Sequence, residues 1–121
     1  MSYEWLDSYL LSKKAAEKDY KAEWEAFRYM VGGKMFCMMG TDGKGRAIIT
    51  LKCDPLFGEA LRQQYADIIP GYYMNKLHWN SVYRDGSVPD DVLRSMADMS
   101  YDLIFKSLPK KLQSQLNEQS L

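Results

Sequence analysis

The sequence predicts an α+β fold: a two-layer domain whose antiparallel β-sheet carries its helices on one face. Two observations lead to it. Four segments, 25–31, 34–39, 46–52 and 76–84, alternate their side chains with the period of a strand. Around them lie segments whose apolar residues recur every three to four positions, the helical period, with recognisable start signals. Four to six strands and three main helices are expected, in one domain spanning residues 1–121, a length that buries a core without staples.

In chain order, Ser2 offers a hydroxyl cap for a first helix whose Trp5, Leu6, Tyr9 and Leu10 form one apolar stripe. Lys13 to Lys21 mixes charges and reads as a solvated helix end or loop. Phe27, Tyr29 and Val31 then alternate with Arg28 and Met30 up to Gly32-Gly33, a two-residue hairpin turn needing positive φ. Such a turn pairs Val31 with Lys34, Tyr29 with Phe36 and Phe27 with Met38. The opposite face of this hairpin holds Arg28, Met30, Met35, Cys37 and Met39. So many methionines serve either to fill an irregular core or to form an adaptable binding surface.

Gly40 to Gly45 is glycine-rich but lacks the Gly-Lys-Ser/Thr ending of a phosphate loop and leads into no helix, so it reads as a hairpin connection. In the third strand, Ala47, Ile49 and Leu51 point one way, and Arg46, Ile48, Thr50 and Lys52 the other. Asp54-Pro55 pairs a capping carboxylate with proline at the first helical position, and Phe57, Ala60, Leu61 and Tyr65 give that helix a buried stripe. Pro70-Gly71 interrupts the chain ahead of the central strand. There Leu77, Trp79, Ser81 and Tyr83 form the core-facing set, and Lys76, His78, Asn80, Val82 and Arg84 the outer one. Asp85-Gly86 marks a turn before the longest helix, whose stripe is Val92, Met96, Met99 and Leu103, with Leu93, Ser100 and Ile104 beside it and Tyr101 off the line. Leu108-Pro109 ends that helix, Leu112 and Leu116 belong to a short last one, and the polar stretch from Gln113 to Leu121 frays.

Composition restricts function. Sixteen basic and sixteen acidic residues give zero net charge, which excludes a global basic field for nucleic acid. The charge is uneven, however: residues 1–25 carry −2, residues 26–84 carry +4 and residues 85–121 carry −2. Cys37 and Cys53 form neither a disulfide framework nor a Cys-x-x-Cys zinc pair. No apolar run approaches a membrane span and no secretory leader is visible; with two thiols and eight methionines this suggests the cytoplasm.

His78, the single histidine, has no Asp or Glu within five residues, and no Ser or Cys stands in a nucleophile motif. Catalytic residues, metal ligands and cofactors are therefore expected to be absent, and the protein to bind rather than catalyse. The outer strand face, Lys76, His78, Asn80 and Arg84, joined by Arg46 and Lys52 from a neighbouring strand, is the candidate phosphate-contacting surface. Tyr72 and Tyr73 are candidate stacking rings. As a plain solvated sheet face, the same residues would keep the sheet soluble.

Pro70-Gly-Tyr-Tyr-Met-Asn-Lys-Leu-His-Trp-Asn-Ser-Val82, Asp85-Gly-Ser-Val-Pro-Asp-Asp91 and Ser100-Tyr-Asp-Leu103, preceded by Gly33-Lys-Met-Phe36 and Leu51-Lys-Cys-Asp-Pro55, resemble the motifs of the MmcQ/YjbR family in the same order. The resemblance runs from about Trp24 to Leu116. Lys14-Ala-Ala-Glu17 stands where that family usually has a proline–glycine turn. The resemblance implies a small two-layer α+β domain similar to CyaY and to type III secretion chaperones. Members of that family are often labelled DNA-binding by fold analogy. The expected partner is accordingly a nucleic acid, or alternatively a protein bound in a chaperone-like manner on an exposed sheet face, with no membrane and a monomeric or weakly dimeric state.

Overall fold

Gly32 and Gly33 have φ of +57° and +82°, the left-handed values a tight hairpin requires. From that turn the sheet spreads both ways. The structure, a computed structural model, describes residues 3–72 and 74–118. Helix α1 (Leu6–Leu11) is followed by β1 (Glu17–Lys21), a 3-10 turn (Ala22–Trp24), β2 (Ala26–Val31), β3 (Lys34–Thr41) and β4 (Ala47–Lys52). Then come α2 (Pro55–Gln64), β5 (Ile68–Pro70), β6 (Trp79–Tyr83), α3 (Asp90–Ser107) and α4 (Lys110–Glu118). Among the described residues the strands form one six-stranded antiparallel sheet in the order β1-β2-β3-β4-β6-β5.

The expected α+β architecture is present, with three differences in its elements. Residues 17–21 are an edge strand rather than a solvated connector, because Glu17–Lys21 pair with Met30–Ala26. Residues 68–70 add a strand ahead of the Pro70-Gly71 break, paired with β6. Gln113–Glu118 continue the last helix rather than fray, held by Leu116 in the core; residues 119–121, like the expected cap Ser2, lie outside the described residues.

Leu6 and Leu10 of α1, Leu93, Met96 and Ile104 of α3, and Leu116 of α4 pack against Tyr29, Val31, Ile49, Leu51 and Val82 of the sheet. Helix α3 buries Leu93, Met96, Ala97, Ser100, Tyr101 and Ile104. Its inner face is thus rotated from the expected stripe, and Val92, Met99 and Leu103 are only half-buried. Tyr101 is buried edge-on against Phe36, 5.2 Å between ring centroids, and its hydroxyl donates to the Lys14 carbonyl at 2.5 Å. Helix α2 starts as expected, with Asp54 Oδ2 accepting from Phe57 N–H at 3.2 Å. It buries Gly58 and Leu61, however, while Phe57 and Ala60 are exposed. A Cβ at Gly58 would stand 2.5 Å from Cys53 Sγ, so the close approach of this helix needs a glycine there.

The β2–β3 hairpin departs from its expected register after the second pair. Val31 faces Lys34 and Met30 faces Met35, but Tyr29 faces Cys37 and Phe27 faces Met39. Phe36 is the extra residue of a β-bulge. Phe36, Cys37 and Met39 consequently all join the helix-side core, and Met38 turns to the opposite face with Ala26 and Ile48. Ser100 of α3 fills the gap the bulge opens between β3 and β4. Its hydroxyl accepts from Lys52 N–H at 2.9 Å and donates to the Phe36 carbonyl at 2.5 Å.

Strand β6 presents its faces the other way round from the expectation. Asn80 and Val82 are fully buried, Val82 in the helix-side core, and Leu77 lies before the strand and is 60% exposed. The apolar count misled because Asn80 is a satisfied polar core residue. Its Oδ1 accepts from Arg62 Nη1 at 2.6 Å and its Nδ2 donates to the Gly58 carbonyl at 3.2 Å.

Candidate functional site

The helices cover one side of the sheet; the other side is closed only in part. On that open side the segment after β5 crosses β4 as a strap. Gly71 N–H donates to the Trp79 carbonyl at 2.7 Å, and Tyr72 N–H donates to Ser81 Oγ at 3.0 Å. Ser81 Oγ lies 2.7 Å from Thr50 Oγ1, so two small buried hydroxyls fasten the strap to the sheet. The Tyr72 ring packs on the Ala26–Met38–Ile48 cluster with Met35 and Tyr83.

On the far side of β3, the 3-10 turn holds Trp24 over the sheet, 46% exposed. Lys21 Nζ and the Arg28 guanidinium lie 5.2 and 5.8 Å from its ring centroid. Between Trp24 and Met74 of the strap runs a cleft of about 300 Å³, floored by Ala26, Met38 and Gly40 and bordered by Glu23 and Thr41. The floor is low because it is built from small residues: a Cβ on Gly40 would come within 3.0 Å of the Ala26 Cβ. By alternation Arg28 and Met30 share this side, next to half-buried Met35. Arg28 is engaged by Asp19, whose carboxyl it hydrogen-bonds at 2.8 and 2.5 Å and holds below the usual carboxylate range.

The structure does not assemble the expected basic face. Lys52 is on the open side, cross-strand from Trp79. Lys76 Nζ donates to the Gly71 carbonyl at 3.0 Å and lies 5.9 Å from the Tyr72 ring centroid. His78 is half-buried in the turn before β6, and its carbonyl accepts from Cys53 N–H at 2.8 Å. Arg46 stacks 3.6 Å from the Tyr83 ring centroid and is paired with Asp85 at 2.9 Å and Asp67 at 3.7 Å, so its charge is largely met. Asn80 is buried beneath α2, which removes it from any ligand surface. Arg84 lies on the helix side, with Nη1 3.7 Å from Met39 Sδ. Tyr72 is occupied in packing, and Tyr73 lies outside the described residues.

Trp24, Met74, Ala26 and Gly40 escaped the sequence reading. The nearest signal is the methionine-rich hairpin face: Met30 and Met35 lie on the open side as expected, and the bulge substitutes Met38 for Cys37 and Met39. Among the described residues no group of three His, Cys, Asp or Glu side chains is placed to hold a metal ion, and no helix is long and apolar enough to cross a membrane.

Comparison with known proteins supplies the remaining finding. The family model described as YjbR matches residues 11–103. The chain is 34% identical over 111 residues to the Escherichia coli K12 protein named uncharacterized protein YjbR, covering 92% of this chain and 93% of that one. It is 36% identical over 94 residues to uncharacterized protein YbdF of Escherichia coli O157:H7, 78% of this chain and 75% of that one. The crystal structure of the Deinococcus radiodurans protein DR2400, a DUF419 domain, superposes with a TM-score of 0.82 at 30% identity, covering 93% of this chain and 85% of that one. A Pseudomonas syringae protein shares the fold with a TM-score of 0.68 at 24% identity, covering 85% of this chain and 98% of that one.

Proposed function

The chain belongs to the YjbR family, and from that premise we propose that it is a non-catalytic binding protein whose open sheet face takes a segment of a partner protein. The observation that carries this reading is the cleft between Trp24 and Met74, with Met30, Met35 and Met38 on the same side of the sheet. Methionine and tryptophan supply adaptable, polarizable contact area that accommodates a large apolar anchor side chain. Charge adds a second requirement. Lys21, Lys52 and Lys76 have no carboxylate ion-pair partner among the described residues, whereas Glu23 is the acidic residue in the cleft wall. Lys21 lies against the Trp24 ring and Lys76 sits on the strap beside Met74, so cations flank the cleft and suit a segment with an apolar anchor and flanking carboxylates.

The nucleic-acid alternative has less support here, because Arg46 is paired while Asn80 and Arg84 lie on the other side of the sheet. The test is selection of binders from a displayed library of random peptides. Selected peptides are expected to combine one aromatic or leucine anchor with Asp or Glu close by, and Trp24→Ala is expected to weaken them at least about tenfold. Binders indifferent to Trp24→Ala would overturn the site. Tight duplex-DNA binding whose salt dependence flattens in Lys52→Ala/Lys76→Ala would favour nucleic acid instead.

A further inference from the structure

The cleft between Trp24 and Met74 has a counterpart elsewhere on the same chain. Leu56 is the most exposed large apolar side chain among the described residues, at 80%. It stands in the first turn of α2 beside Phe57, also exposed, in the run Asp54-Pro55-Leu56-Phe57-Gly58-Glu59. Leu77, itself exposed, lies in the turn joined to this corner by the hydrogen bond from Cys53 N–H to the His78 carbonyl. Asp54 and Glu59 are exposed before and after the two apolar residues, and neither forms an ion pair among the described residues. Arg62, the next cation along the helix, is turned onto Asn80 Oδ1 at 2.6 Å. A leucine and an aromatic ring bracketed by carboxylates are the chemistry that the open-face cleft suits.

This knob is held rigidly. Asp54 caps the helix, Pro55 fixes its first φ, and Gly58 and Leu61 seat it on the sheet immediately behind. Presenting Leu56 to a partner therefore costs little conformational entropy. Helix α2 lies on the helix side of the sheet and the cleft on the open side, so a chain cannot fill its own cleft. We propose that the open-face cleft receives α2 of a second copy of this chain. Leu56 enters between Trp24 and Met74, with Asp54 and Glu59 facing the cations Lys21 and Lys76. The inference rests on the reading of that cleft as a site for a protein segment, and it names the occupant. With knob and cleft on opposite sides of the sheet the contact is heterologous, and copies add head to tail.

Sedimentation velocity of the full chain from about 20 μM to about 2 mM tests it, a range that brackets a submillimolar Kd. The sedimentation coefficient is expected to rise with concentration. Leu56→Ser, a surface change clear of the core, and Trp24→Ala should each weaken association at least about tenfold. An equimolar mixture of the two variants should associate again and stop at dimers, because it contains one intact knob and one intact cleft. A wild-type chain that stays monomeric throughout, association untouched by either substitution, or a mixture that stays monomeric would each overturn the proposal. Peptides selected from the displayed library separate the two readings. Their binding at Trp24 of a wild type that stays monomeric overturns the second copy alone, whereas absence of both peptide binding and self-association removes the cleft as a site.

Discussion

Ala15 has a φ of 59°, a left-handed value that costs a residue with a Cβ roughly 1–2 kcal/mol. It belongs to the stretch where the resembling family carries a proline–glycine turn. Glycine adopts this conformation freely but gives up about 0.5–1 kcal/mol of backbone entropy. Ala15→Gly is therefore expected to stabilise the protein slightly, read as a higher urea midpoint with an unchanged slope. Ser100 is the opposite case, a small side chain that nothing replaces. Ser100→Ala leaves the Lys52 N–H and the Phe36 carbonyl unpaired at the bulge, and a loss of about 2–3 kcal/mol in urea denaturation is expected. Neither role was visible in sequence. Ser100 looked like a helix residue beside an apolar stripe, and its importance depends on a gap between two strands that are distant in the chain.

At the scale of elements, period and turn chemistry located most segments, and tertiary contacts decided their faces. The Gly32-Gly33 turn and the Asp54-Pro55 cap were legible because each is a local backbone requirement. The Phe36 bulge was not, since one extra residue leaves the local alternation plausible in either register. The faces of β6 were inverted for a related reason: Asn80 reads as solvent-facing until Arg62 and Gly58 of a separate helix satisfy it. Helix α2 gives a direct test. Alanine is favoured over glycine inside a helix by about 1 kcal/mol, yet at position 58 its Cβ would press on Cys53 Sγ at 2.5 Å and Asn80 Nδ2 at 3.2 Å. Gly58→Ala should destabilise by about 1–3 kcal/mol. Adding Cys53→Ala should recover part of the loss, because it removes the nearer clash; additive losses in denaturation of the double variant would refute that cause.

Across the whole molecule, the two-layer arrangement was legible and the surface it leaves open was not. The expected basic face presumed that residues of one strand share one exposure, whereas a strap, a flipped strand and two ion pairs distribute them. The N-terminal segment is fastened to the rest by carboxylates. Asp7 accepts from Lys18 at 2.6 Å and from Tyr29 at 2.5 Å, and Asp98 of α3 accepts from Tyr9 and Lys13, both at 2.6 Å. Hydrogen bonds from Lys18 and Tyr29 lower the Asp7 pKa; for Asp98 desolvation pushes upward but is outweighed by Lys13 and Tyr9. Both groups therefore favour the folded state above the ordinary aspartate pKa, and that contribution is lost as pH falls through their lowered folded values. The urea midpoint should drop on acidification below about pH 4, and less steeply in Asp98→Asn. Because both side chains are nearly half exposed, solvent screens the effect and keeps it modest.

The strand order has a consequence for how the chain is made. β1 to β4 follow one another along the sequence as a meander, but β4's other neighbour, β6, arrives only after α2, β5 and the strap. A nascent chain on the ribosome thus completes four strands while the free edge of β4, Ala47-Ile-Ile-Thr-Leu-Lys52, waits unpaired. That edge is apolar and β-branched, the kind that recruits a foreign strand. β6 brings Asn80, Ser81 and Val82 to close it, and α3 follows to bury the face behind it. A pause that leaves β1 to β4 outside the ribosome before β6 has followed them would expose this edge to the wrong neighbour.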